Sequence, residues 1–184
     1  MRYVALLRGV NLGRRQVKME QLRGVISAMG FSDVSTYIAS GNVLFTTSGR
    51  TDASAMERRI EAELEGAFGF PIETMLRTRH EVAEAAGFRP FPGGEMEEPG
   101  NTVHVGFLRT HLSDEVAERL VAFGTEKDEF RVRGREFFWL CRGKTTDSLV
   151  KWSKVEKAVG VTSTMRNIKT VRKLAELCGD GHTR

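Results

Sequence analysis

The chain has 184 residues, 40 % of them hydrophobic and 28 % charged, with a formal net charge of +4; this is ordinary globular composition, enough for one large domain or two small ones. No apolar run approaches the ~20 residues that cross a bilayer, and the stretch Met1 to Arg8 meets charge too soon for a signal peptide. Cys141 and Cys178 stand far apart, in no metal or redox spacing, which argues against a disulfide framework and for a reducing cytoplasm.

Residues 3–8 read as a strand ending at Arg8-Gly9. Met19, Leu22, Ile26 and Met29 recur at helical spacing, and Gly30 closes that helix. Val34–Ile38 and Val43–Thr47 read as strands of a hairpin, turned by Ser40-Gly41-Asn42. Thr51 or Asp52 caps a helix to about residue 67, with Met56, Ile60, Leu64 and Phe68 facing inward and Glu57, Glu61, Glu63 and Glu65 on its wet side. Gly69 ends it, and Ile72–Leu76 is a fourth strand. A short helix over His80–Ala86 leads into Gly87–Gly100, which holds three of the four prolines and marks a boundary or long exposed connection.

Val103–Leu108 opens a partial echo of this pattern. Ser113 caps a helix with Val116, Leu120 and Phe123 on one face. Phe130–Arg133 and Glu136–Leu140 form a hairpin turning at Gly134. Asp147 or Ser148 starts the next helix, and a last helix runs over about 168–178. The final strand of the echo is weak, a short piece at Val161–Ser163 at most. The order strand, helix, strand, strand, helix, strand is the ferredoxin-like one. The expected architecture is therefore α+β: a ferredoxin-like half at 1–87, a Pro/Gly-rich connection at 88–101 and a second, imperfect α+β copy at 102–184 with a C-terminal helix.

The charge is segregated. Residues 1–23 carry Arg2, Arg8, Arg14, Arg15, Lys18 and Arg23 against Glu20 alone, and residues 131–173 carry twelve basic residues against Glu136, Asp147 and Glu156. If these segments meet, they make a positive face; each also reads as a solvated surface.

Three polar segments stand out. In Leu6–Gly13, a strand runs into a loop where Gly9 and Gly13 can turn backbone N–H groups toward an anion, with Arg8 and Asn11 beside them. The spacing is not the dinucleotide fingerprint, and no phosphate-loop lysine follows. In Thr36–Val43, Ser40 and Asn42 make a turn and a possible polar binding edge; no base or nucleophile elbow supports serine chemistry. In Ser163–Val171, Thr164 or Asn167 caps the last helix, which sets Arg166 and Lys169 beside its N-terminus. His104 and His111 complete no metal set, and the carboxylates read as a solvated helix face. Phe137, Phe138 and Trp139 beside Arg131, Arg133 and Arg135 suggest a base-stacking strand, although alternation puts at least one face in a core.

Together, Leu6–Gly13, Thr36–Val43 and Thr164–Val171 resemble the motifs of a bacterial family, domain of unknown function 1697, with Arg89-Pro90-Phe91 departing from an Asn-Pro-Phe-like element. The resemblance spans nearly the whole chain. It implies an α+β fold with ferredoxin-like halves and no catalytic residue. The expected function is binding of a phosphorylated ligand or a nucleic acid at a basic site made by Arg8, Gly9, Asn11, Gly13, Ser40, Asn42, Arg166 and Asn167, with no cofactor, metal or membrane. The alternatives are an enzyme acting on a phosphorylated or carboxylated metabolite and a protein-interaction module.

Overall fold

The computed structural model describes residues 1–11, 13, 15–49 and 51–179; Leu12, Arg14 and His182 lie outside the described residues. The chain divides into two compact units, Met1–Ala83 joined by the segment from Lys173, and Glu84–Arg172.

The first unit contains β1 (Arg2–Leu7), α1 (Met19–Ala28), β2 (Ser32–Thr36), β3 (Asn42–Thr46), α2 (Ala53–Phe68) and β4 (Thr74–Thr78), followed by α3 (Arg79–Gly87). Its strands form an antiparallel sheet in the order β2-β3-β1-β4. Strand alternation sends Tyr3, Ala5, Leu7, Val43, Phe45 and Leu76 to one face, where Leu22 and Ile26 of α1 and Met56, Ile60 and Leu64 of α2 cover them. Each such aliphatic side chain contributes about 1.5–3 kcal/mol on burial. Asp52 caps α2 by accepting from Ala55 N at 2.7 Å, and Gly69, at φ +76°, ends it.

The wet side expected for α2 is corrected at Glu57 and Glu61. Strand β4 is an edge strand, and its outward N–H groups need acceptors. Glu57, only 1 % exposed, accepts from Leu76 N at 2.8 Å, and Glu61 accepts from Thr74 N at 2.8 Å. These carboxylates occupy the edge that another chain would otherwise pair with.

The second unit repeats the order with β5 (Thr102–Leu108), α4 (Asp114–Val121), β6 (Asp128–Arg133), β7 (Glu136–Cys141), α5 (Trp152–Val159) and β8 (Ser163–Asn167), followed by α6 (Ile168–Gly179). Its sheet order, β6-β7-β5-β8, is the same. Both units are thus ferredoxin-like, and the echo is more complete than the sequence suggested. The final strand is a full β8, not a fragment at Val161–Ser163. Helix α5 starts at Trp152 rather than Asp147 or Ser148; a 3₁₀ turn occupies Thr145–Asp147. Ser148 instead donates to the buried Asp128 carboxylate, which also accepts from Trp139 Nε1 and Thr125 Oγ1, each at 2.8 Å.

Aromatic packing fills this second core. Phe137 stacks on Trp152 with centroids 5.1 Å apart, and Phe130 stacks on Trp139 at 5.8 Å. The Phe137 ring lies on Gly106, so that a Cβ built there would stand 1.8 Å from Phe137 Cζ. The stretch from Phe88 to Asn101 lies in this unit, with Phe91 and Met96 buried and Arg142 bridging Glu95 and Glu129. The hydrogen bond from Arg142 holds the Glu95 carboxyl below its ordinary range.

The two sheets superpose residue by residue in register. Leu7 pairs with Thr74 as Leu108 pairs with Ser163, and Val4 pairs with Arg77 as Val105 pairs with Arg166. Arg77 and Arg166 are both buried, and each donates to the carbonyl of the residue before it. The next residue in each chain segment, Thr78 or Asn167, caps the following helix: Glu81 N donates to Thr78 Oγ1, and Lys169 N to Asn167 Oδ1.

Candidate functional site

At the end of the first sheet where β1 stops, three chain segments meet. Leu7 N donates to Gly41 O and Arg8 N to Glu73 O, both at 2.8 Å. The loop from Arg8 to Lys18 and the turn from Tyr37 to Gly41 therefore flank one sheet end.

The turn is tightly specified. Gly41 has φ +79°, and a Cβ there would lie 2.4 Å from Val10 Cγ2 and 2.9 Å from Leu7 Cβ, so both the backbone angle and the space demand glycine. Asn42 is fully buried and donates to Tyr37 O at 2.9 Å and Ser40 Oγ at 3.0 Å, while Tyr37 N donates to Asn42 O. The side chain of Asn11 laces the loop to the turn: Nδ2 donates to Ala39 O at 2.8 Å and Oδ1 accepts from Val17 N at 2.7 Å. Between these clamps Ile38 sits at φ +51° and 49 % exposed, a conformation that β-branched residues rarely adopt.

Within the loop Gly9, Asn11 and Gly13 have φ of +72°, +57° and +61°, whereas Val10 is not left-handed. Positive-φ residues of this kind recur in loops whose backbone N–H groups form anion sites. Arg8 is half-exposed and pairs with Glu73 at 3.1 Å. Arg15, exposed, places its guanidinium 4.9 Å from the centre of the Phe70 ring, with Nη1 3.5 Å from where a Gly9 Cβ would be. Arg15, Glu73 and Ile38 are the residues that sequence reading missed; the basic excess of residues 1–23 was the only signal for Arg15.

The first two polar motifs thus come together in the first unit, with Arg8, Gly9, Asn11, Gly13, Ser40 and Asn42 around one sheet end. Arg166 and Asn167 belong to the second unit. There the reading of Thr164 as a helix cap is corrected, because Thr164 and Arg166 lie on β8 and α6 begins only at Ile168. Arg166 donates to Thr164 Oγ1 and Met165 O, each at 2.8 Å, and burial pulls its guanidinium pKa down to about 10, so it stays charged at neutral pH. The base-stacking strand is also corrected: Phe137, Phe138 and Trp139 are all buried. Phe138 packs under Phe88, itself covered by Arg133 at 4.5 Å. Among the described residues no group of three or more His, Cys, Asp or Glu is placed to hold a metal ion, and no helix is long and apolar enough to cross a membrane.

A sequence model for the family described as "Protein of unknown function (DUF1697)" matches residues 1–138. No curated protein matches. Among solved structures, that of conserved bacterial protein SP0830 from Streptococcus pneumoniae is similar over 97 % of this chain and 98 % of its own, with a TM-score of 0.74 and 21 % identity. At that identity the likeness speaks to the fold.

Proposed function

Because this chain belongs to the DUF1697 family, whose description carries no activity, we propose from its own geometry that it binds a phosphate-bearing ligand, a phosphorylated metabolite or a nucleic acid, at the Arg8–Lys18 loop. One observation carries this reading. The second unit builds the same sheet with a connection of only Arg109–Ser113 after β5 and a turn of only Gly134–Arg135 between β6 and β7. In the first unit both equivalents are longer, and Asn11 ties the two to each other. Connecting chain that the fold does without, and that is tied to its neighbour in this way, is where binding sites are built.

The loop N–H groups of Gly9, Asn11 and Gly13 and the Ser40 hydroxyl supply hydrogen bonds, Arg8 and Arg15 supply charge, and Asn42 holds the turn. Within the second unit, taken by itself, the proposal includes Arg166, whose guanidinium is buried, and Asn167, which caps α6. It places the protein in the cytoplasm, in keeping with two free, buried cysteines.

Glu73 is the internal competitor of the ligand, since it already pairs with Arg8. Thermal shift should therefore be measured with inorganic phosphate, ribose 5-phosphate and single-stranded oligonucleotides at low and high salt. A ligand at a hundredfold its Kd adds about 2.7 kcal/mol. The E73Q protein should bind more tightly and R8A about tenfold more weakly, both effects shrinking as salt rises. Ligand shifts identical in wild type, E73Q and R8A would sink the reading.

A further inference from the structure

We propose that the phosphate-bearing ligand is a nucleoside phosphate, its base stacked on the Arg15 guanidinium that Phe70 backs and its phosphate held by the Arg8–Gly13 loop; this rests on the phosphate reading above. Arg15 is one of the exposed cations of the loop, but it does not wave free in solvent. Its guanidinium lies over the Phe70 ring, 4.9 Å from the centroid, while the residue as a whole stays exposed. A guanidinium backed by a ring is a flat, cationic platform suited to a nucleobase.

The platform is next to the phosphate loop. Nη1 of Arg15 comes within 3.5 Å of the position a Gly9 Cβ would take, ordinary van der Waals contact, so the guanidinium lies beside the loop backbone at Gly9. The other flank of the loop carries an exposed apolar side chain. Asn11 joins it to Ala39, and the neighbouring Ile38 is 49 % exposed at φ +51°. Asn42 grips the Tyr37 carbonyl before Ile38, and Asn11 grips the Ala39 carbonyl after it. Glycine or asparagine would fit that backbone with less strain, so holding an isoleucine there, open to solvent, presents an apolar surface at some cost in stability. Inorganic phosphate makes no use of a stacking plane or an apolar wall. A nucleoside phosphate uses both.

Calorimetric titration with adenosine 5′-monophosphate, ribose 5-phosphate, inorganic phosphate and a short single-stranded oligoadenylate tests this. Adenosine monophosphate should bind at least about tenfold more tightly than ribose 5-phosphate. The R15K protein keeps the charge and loses the plane; its affinity for adenosine monophosphate should fall toward its own affinity for ribose 5-phosphate. The I38G protein should melt higher than wild type and bind the nucleotide more weakly. Tighter, salt-dependent binding of the oligoadenylate would place the nucleoside phosphate in a strand, and a preference for the mononucleotide would make it a free metabolite; both outcomes support the proposal. Equal affinity for ribose 5-phosphate and adenosine monophosphate, unchanged in R15K, would overturn it and leave the phosphate reading standing. If none of the four binds, both fall.

Discussion

The two units use one blueprint with different core solutions. At the centre of the first sheet, Ala5 lies across from Val43; at the matching register of the second, Gly106 lies across from Phe137. Phe45 in the first unit corresponds to Trp139, Tyr3 to His104 and Gly41 to Arg135. The second unit fills its core with rings and removes a side chain to admit them. The first keeps Ala5 and Val43 at its centre beside the stacked rings of Tyr3 and Phe45, and places its constraints at the sheet end, where loop and turn are laced together. Topology is therefore indifferent to these choices, and the departures from a shared plan mark where each unit has its own requirement.

Exchanging residues between equivalent positions tests that comparison. The largest effect is expected at Gly106. G106A should cost about 3 kcal/mol, because the added methyl meets the Phe137 ring rather than a flexible chain end. In an F137V background, which recreates the pair of the first unit, the cost of G106A should fall by about 2 kcal/mol; denaturant unfolding of the four proteins measures this coupling. Strict additivity would mean that the ring is not what excludes the methyl.

Next comes Gly41. G41A should destabilise by about 2 kcal/mol, since it forces a side chain both into a left-handed backbone angle and against Val10 and Leu7. The reverse exchange, R135G, should change stability by less than about 1 kcal/mol. Comparable losses in the two variants would erase the distinction drawn between the sheet ends.

The smallest effect concerns acid. Burial holds the His104 imidazole below its ordinary pKa, and its Nδ1 has no hydrogen-bond partner. As pH falls through about 6.5 the unfolded chain takes up the proton first. Stability is thus full above that pH and declines below it. H104Y, which copies Tyr3, should flatten this part of the acid limb below about pH 6.5; an unchanged slope in pH-dependent melting would assign the acid sensitivity to other groups.

Most elements were legible because their burial is one-sided. The period of α2 and the alternation of Phe137, Phe138 and Trp139 name their inward faces directly. Strand β8 was not legible, since its buried residues are polar: Thr164 and Arg166 satisfy each other by a hydrogen bond, and no apolar alternation remains to be read. Glu57 misled for the same reason, as a carboxylate at helical spacing looks wet until a strand edge needs an acceptor. The motif residues of the candidate site were visible as glycines and amides out of keeping with their elements. The Arg15–Phe70 stack was not, because it joins residues far apart in sequence on two different connections.

The first unit is also discontinuous: it begins at Met1 and takes in the chain from Lys173, after the whole of the second. Within it, Cys178 of α6 is buried close to Arg2 at the start of β1 and to Arg79. During synthesis, then, the part that leaves the ribosome first lacks a piece that leaves after its neighbour. The second unit has its entire sequence available earlier. Birth order and completion order are reversed, and the earliest-made strands wait for the last segment of their own unit.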